Sequence, residues 1–311
     1  MILVTGATGF IGRVLVRQLT ETGQQVRVLL RPSRESPRLP KGVPVEVAVV
    51  SLNDERGLRA AMRGVDQIYH LASAASQGRQ GNLFKTDIEG TRTLVQVAKN
   101  ADIERFIYLS HIGSDRASAF PIHKAKGIAE EYIRKSGVPY TIIRSSIVFG
   151  PDDHFTSTLA TLIRATPGIM PIPGDGRTLL QPLWVEDLVT CLVWALQNPD
   201  MANQTYDIGG GEVFTLRKVI EIIMNVTHTR RWIVPLSPPY MRALFVTLDA
   251  FTPGFNVPTY WIDYVAVNRN CPVENLPRIF GLMPARFAYR LNYLERKPLL
   301  QRIRESIRFS R

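Results

Sequence analysis

Cysteine is nearly absent from this 311-residue chain: Cys191 and Cys271 are its two examples. Neither has a second Cys or a His two to four residues away, so no thiolate metal site is expected. Two distant thiols also make a poor disulfide framework, and a reducing, cytoplasmic compartment is the expected setting. Long apolar runs are missing as well. Without about 18 uninterrupted apolar residues, no membrane-spanning helix is expected. No basic stretch with a following apolar run precedes the first strand at Ile2, so no leader peptide is expected. Repeats and low-complexity tracts are absent, and with a hydrophobic fraction of 45% the composition is that of a folded body.

Acidic residues are in short supply, 27 against 38 Lys and Arg, leaving a net charge of +11. The surplus is concentrated late in the chain, where Arg269 to Arg311 holds ten basic residues and three Glu. In Lys297 to Phe309, Leu299, Ile303 and Ile307 fall on one helical face and arginines on others. Such a segment, together with Tyr240 to Phe251, suits an anionic membrane surface or a larger protein complex. Helices that merely close a second lobe are the alternative. No nucleic-acid module accompanies the charge, so no specific nucleic-acid partner is expected.

What is present is a rhythm of strands and helices. ILVT, QVRVLL, VEVAVV, VDQIYHLA, RFIYLS and VPYTIIRSSIVFG read as strands, and helix-length segments separate most of them. LFKTDIEGTRTLVQVAKN reads as one continuous helix. Strands this apolar need helices on both faces, which predicts an α/β fold with a Rossmann-type, doubly wound parallel sheet. Beyond Gly150, Pro and Gly punctuate the pattern. The expected division is a dinucleotide-binding domain over 1–150 and a smaller mixed lobe over 151–311, the chain re-entering the sheet around 180–225.

The sharpest motif is Thr5-Gly6-Ala7-Thr8-Gly9-Phe10-Ile11-Gly12, placed between the first strand and an amphipathic helix. Gly6 permits the turn, Gly9 lets backbone approach a pyrophosphate, and Gly12 allows close helix packing. The N-terminus of the helix favours the phosphates' charge, so Gly6, Thr8, Gly9, Phe10, Ile11 and Gly12 are expected to hold a nicotinamide dinucleotide. Where an NAD(H) site carries an acid after the second strand, this chain has Arg31, Ser33 and Arg34. Arginines there suit a 2′-phosphate, so NADP(H) is preferred and NAD(H) is the alternative.

TGATGFIG, HLAS, EGT, YLS and RSSIVFGP, in that order, resemble the landmarks of extended and atypical short-chain dehydrogenases across residues 1–225. TYWIDYVAVN and RIFGLMPARF extend the resemblance toward the branch holding the nucleotide-binding accessory subunit of respiratory complex I; NmrA-like sensors and photosystem assembly factors are further relatives of this type. The resemblance implies an adenine neighbourhood at Ser51 and Leu52, and a nicotinamide-ribose neighbourhood at His70, Leu71 and Ala72. It also exposes departures: Ser51 stands where the family has Asp, Asp87 where many members have Asn, and Ser145 where Pro follows the Arg144 equivalent.

Dehydrogenases of this kind place a Tyr four residues before a Lys, the Tyr moving the proton and the Lys binding ribose. Here Ile122 precedes Lys126 at that spacing, and Phe120 precedes Lys124. Lys126, Ser110 and His111 remain as catalytic candidates, with His123 in reserve; both histidines read more simply as solvated or capping residues. Whether turnover survives is left open. The expected role is a catalytically attenuated, structural, assembly or sensing one, with a reductase, epimerase or dehydratase on a carbonyl or sugar-nucleotide substrate as the alternative. Asp152 and Asp153 read as caps for a helix near Phe155, and Trp184, Glu186 and Asp187 as family matches near a substrate cleft that equally suit a helix start.

Overall fold

A computed structural model describes residues 1–33, 39, 42–75, 81–241, 243, 265 and 267–295. Arg34, the segment 297–309 and nearly all of 242–251 therefore lie outside the described residues.

The first half is a series of βα units. Strands β1 (Ile2–Thr5), β2 (Val26–Leu30), β3 (Glu46–Val49), β4 (Gln67–His70), β5 (Arg105–His111) and β6 (Tyr140–Ser145) are all parallel. Helices α1 (Phe10–Glu21), α2 (Glu55–Ala61), α3 (Thr91–Lys99) and α4 (Pro121–Lys135) connect them. β1 is buried along its whole length, as both-face coverage requires. In α1 the spacing of Gly12, Leu15, Val16 and Leu19 turns one stripe inward. The segment read as one continuous helix is helical from Leu83 to Lys99, but its first part, Phe84–Gly90, is a π-helical turn that leads into α3. Its widened geometry buries Asp87, a placement taken up below.

The second half contributes β7 (Val148–Phe149), α5 (Thr156–Ala165), β8 (Ile169–Pro173), β9 (Leu179–Leu180), β10 (Leu183–Trp184), α6 (Val185–Gln197), β11 (Gln204–Ile208), β12 (Phe214–Thr215), α7 (Leu216–Val226), β13 (Trp232–Leu236) and α8 (Asn275–Phe280). β11 pairs in parallel with β6, so the main sheet has seven strands in the order β11-β6-β5-β4-β1-β2-β3. One face is covered by α1 and α6, the other by α2, α3 and α4. A separate apolar cluster, with Phe149, Leu159, Ile163, Ile172, Ile220 and Phe287, forms the core of the smaller lobe. This is the Rossmann-type doubly wound sheet with a smaller C-terminal lobe that the sequence implied.

The strand order reverses between β1 and β4. Thr5, at the end of β1, pairs with Leu29 of β2 on one side and His70 of β4 on the other. In open α/β sheets the crevice beyond the strands' C-terminal ends at this switch is where ligands bind. The glycine loop lies there.

Candidate functional site

The three glycines are required for different reasons. Gly6 has φ +75°, and a Cβ there would come within 2.7 Å of the Leu71 and Ala72 backbone. A Cβ on Gly12 would stand 2.1 Å from the Gly6 carbonyl oxygen. The close approach expected between helix and sheet is thus an approach of helix to loop. Gly9 faces outward and is exposed; its N–H donates to the Gly6 carbonyl at 3.0 Å. No side chain caps α1, and no acid occupies its first turn. Its leading N–H groups and dipole therefore suit an anion, and a pyrophosphate fits the cradle left by the missing side chains. The Phe10 ring packs on Gly150, where a Cβ would approach it to 3.2 Å. Arg13 donates to the Thr8 carbonyl at 3.1 Å and reaches Asp152 at 3.3 Å, bracing the loop from outside.

Along the crevice, Arg31 is exposed just beyond β2, and Ser51 accepts from the Asn53 N–H at 3.3 Å beyond β3. Leu52 lies against Gly90, whose Cβ would meet it at 3.0 Å. Leu71 and Ala72 border Gly6, as noted. Thr8, Phe10 and Ile11 are half-buried around the loop. The cofactor candidates within the described residues thus follow one edge of the sheet, from β3 to β4.

His70 is a core residue. Its Nδ1 meets Thr5 Oγ1 at 2.7 Å and its Nε2 meets Thr91 Oγ1 at 2.8 Å. Burial, with the Lys126 charge second, pulls its pKa down to about 3, so it stays neutral and locks β4 to β1 and α3.

The catalytic candidates sit in a dense polar interior. Lys126 is 2% exposed; its Nζ lies 3.4 Å from Asp87 Oδ1, donates to the Leu109 carbonyl at 3.3 Å, and stands 4.8 Å over the Tyr108 ring. Asp87 in turn accepts from the Ala74 N–H at 2.9 Å, tying Lys126 to the loop beyond β4. Ile122, one turn earlier on α4, is buried and apolar. Ser110 shares the Tyr108 face of β5 and points at α4, where its hydroxyl lies 2.6 Å from Glu130 Oε1 and 3.0 Å from Ser114 Oγ. Glu130 is fully buried and also holds Arg144, at 2.9 and 2.6 Å, and Arg134 at 2.7 Å.

Neither His111 nor His123 is the solvated residue that a loop or helix-start position suggests. His123 is 3% exposed, and its Nε2 abuts the guanidinium of Arg269, itself 1% exposed and donating to the Ile112 carbonyl at 3.4 Å. Burial and then the Arg269 charge bring the His123 pKa down to about 4. Burial, Lys126, Arg269 and His123, in that order, push the His111 pKa well below its ordinary value. At neutral pH both imidazoles are neutral beside two fixed cations. The tertiary reason is Arg269, brought from the distant C-terminal part by a bridge between its backbone and Leu179–Leu180.

Asp153 does cap α5, accepting from the Thr156 and Ser157 N–H groups at 3.2 and 2.8 Å. Asp187 accepts from the Ala285 N–H at 2.8 Å, and Glu186 from Trp184 Nε1 at 3.2 Å. Asp87, Glu130 and Arg269 are the residues that sequence reasoning gave no role; the substitution at Asp87 was the one visible signal. Among the described residues no group of three His, Cys, Asp or Glu could hold a metal, and no helix is long and apolar enough to cross a membrane.

A glycine-looped switch point on a seven-stranded parallel sheet defines a dinucleotide-binding protein of the short-chain-dehydrogenase type. The sequence profile of the NAD dependent epimerase/dehydratase family matches residues 2–209, and the chain belongs to that family. It is 30% identical over 252 residues to the mitochondrial NADH dehydrogenase [ubiquinone] 1 alpha subcomplex subunit 9 of Arabidopsis thaliana, an alignment covering 79% of this chain and 62% of that protein. The chain thus spans less than two thirds of that relative's length. Sterol demethylase protein B of Methylococcus capsulatus is 27% identical over 286 residues, covering 82% and 85% of the two chains. Among solved structures, a short-chain dehydrogenase/reductase superfamily protein from Agrobacterium tumefaciens with bound NAD superposes with a TM-score of 0.70 at 21% identity, covering the whole of both chains. That likeness concerns the fold.

Proposed function

We propose that this protein is a catalytically attenuated, NADP(H)-binding member of its family, serving a structural, assembly or sensing role in a membrane-associated complex, at the cytoplasmic face of a membrane. The observation that carries this reading is the state of the Lys126 helix. Where a proton-transferring Tyr would stand, Ile122 is buried and apolar, while Lys126 is engaged by Asp87 and Ser110 by Glu130. A bound nicotinamide dinucleotide supplies hydride chemistry, but an accompanying proton needs a group that can release one. His111 and His123, held neutral, are poor proton donors at neutral pH.

The glycine cradle supports the binding half of the reading, and exposed Arg31 supports the 2′-phosphate. Similarity to the alpha subcomplex subunit 9 proteins supports a place in a larger assembly. A second reading, an active NADP-dependent reductase, epimerase or dehydratase, draws on the complete cofactor frame and on the sterol demethylase protein B relative.

The test is to purify the protein without added nucleotide, denature it and identify what is released, with Arg31→Asp alongside. Retained NADP(H), lost in the variant and not consumed across a carbonyl and sugar-nucleotide screen, is the expected result. Weak binding accompanied by turnover would restore the enzyme.

A further inference from the structure

The smaller lobe contains a two-stranded parallel ribbon, β8 with β13, in the register Ile169 to Trp232, Met170 to Ile233, Pro171 to Val234 and Ile172 to Pro235. Over its first half, strand alternation gives it an inner and an outer face. Met170 and Ile172 are buried in the lobe's core, at 2% and 0% exposed. On the other face Trp232 is 81% exposed, Ile169 48% and Val234 39%, and Tyr240 follows on the next turn at 70%. Parallel strands are ordinarily covered on both faces, so an apolar outer face with a nearly naked Trp calls for an occupant.

Charge indicates its sign. Arg230 and Arg231 stand at the start of the ribbon, and Arg177, Arg217 and Lys218 lie near its far end, where Gly174 hydrogen-bonds to Leu236 and Arg217 to Gly176. The acids nearby are Asp175, 3.5 Å from Arg177, and Glu221, 3.8 Å from Lys218. A cavity of about 530 Å³ opens beside Trp232, lined by Gly168, Glu221, Met224, Asn225, Arg230 and Arg231. The last carbonyls of α7 near it are capped by the N–H groups of Thr227, His228 and Thr229, which blunts the negative end of that helix.

Size indicates its kind. Five residues at about 3.3 Å and two strands give an outer face of roughly 170 Å². A stable protein partner needs about 800 Å² on each side. A bilayer needs far less, because a few aromatic side chains at the headgroup level together with nearby cations suffice to anchor a surface.

We infer that the outer face of β8 and β13 is a membrane-surface anchor, with Trp232 and Ile169 entering the headgroup boundary and the neighbouring basic residues meeting anionic phospholipid. This goes beyond the preceding reading by naming the surface, and it does not depend on the cofactor. The whole chain is tested by sedimentation with vesicles of phosphatidylcholine alone and with phosphatidylglycerol added. Trp232→Ser/Ile169→Ser and Arg230→Gln serve as variants, and brominated acyl chains as quenchers of tryptophan emission.

The expected result is binding to the anionic vesicles alone, weakened about tenfold or more in the double variant and about fivefold in Arg230→Gln. Part of the emission should be quenched in the wild type, and that part lost in Trp232→Phe. Both positions are exposed, so melting temperature and nucleotide retention should be unchanged, which separates this test from that of the cofactor. Undiminished vesicle binding by the double variant, or loss of binding on removal of residues 296–311 alone, would overturn the inference. So would failure of the wild type to bind while an acidic protein captures it through Trp232.

Discussion

Along the sheet's C-terminal edge, the backbone end of the site beside β1 and its side-chain end beside β5 are built on different principles. Around Gly6, Gly9 and Gly12 the site is made of backbone, and what matters is the side chains that are not there. Around Lys126 it is made of side chains, and what matters is that they are bound to one another: Lys126 to Asp87, Ser110 to Glu130, His123 to Arg269. A backbone cradle binds phosphate with little demand on neighbouring chemistry. A proton relay demands a group free to exchange, and the interior has instead enlisted its polar groups as structure. On the proposed reading, the difference is that between a cofactor frame that persists and a chemical centre turned to stability.

The largest expected effect falls on the side-chain end. Glu130→Ala leaves Arg144 and Arg134 without their buried carboxylate and should cost about 3–5 kcal/mol in denaturant unfolding, as for a broken buried pair. A loss under 1 kcal/mol would mean that these ion pairs are dispensable and the contrast overdrawn. At the backbone end, Gly12→Ala drives a methyl into the Gly6 carbonyl. It should cost about 1–3 kcal/mol by overpacking and abolish nucleotide retention; retention at wild-type level would show that the loop is not the cradle.

Protonation probes the side-chain end a second way. His70 at about 3 and His123 at about 4 are both depressed from 6.5, and burial pushes His111 well below 6.5 too. Between those values the unfolded chain binds protons that the folded one refuses, so stability is full above pH 6.5 and lost as pH falls toward 4. By pH 5 fully buried His70 alone should account for about 2 kcal/mol, with a further share from His123. Melting temperatures at pH 7 and pH 5 that coincide would contradict this burial. The smallest effect should come from Asp152→Asn, which removes the exposed partner of Arg13 and should change stability by less than about 1 kcal/mol. A larger loss in a thermal melt would make the brace essential to the loop.

Legibility followed range. The βα rhythm, the glycine loop and the cap on α5 were readable because each rests on contacts within one or two turns of chain. The π-helical turn at Phe84–Gly90 was not, since its residues suit an ordinary helix and its geometry serves the Asp87 contacts to Lys126 and Ala74. His111 and His123 were read as surface groups because nothing near them in sequence reveals Arg269, about 150 positions away.

By itself, the sequence determined the doubly wound sheet, the glycine loop and the missing Tyr. Hydrophobic period and glycine spacing are local quantities, and residue identity at Ile122 needs no coordinates. Tertiary structure alone decided that Ser110, Lys126 and His123 are interior groups with fixed partners, and that Trp232 lies outside. Burial and pairing arise when distant segments pack, and the free energy of a charge or an indole depends on what surrounds it.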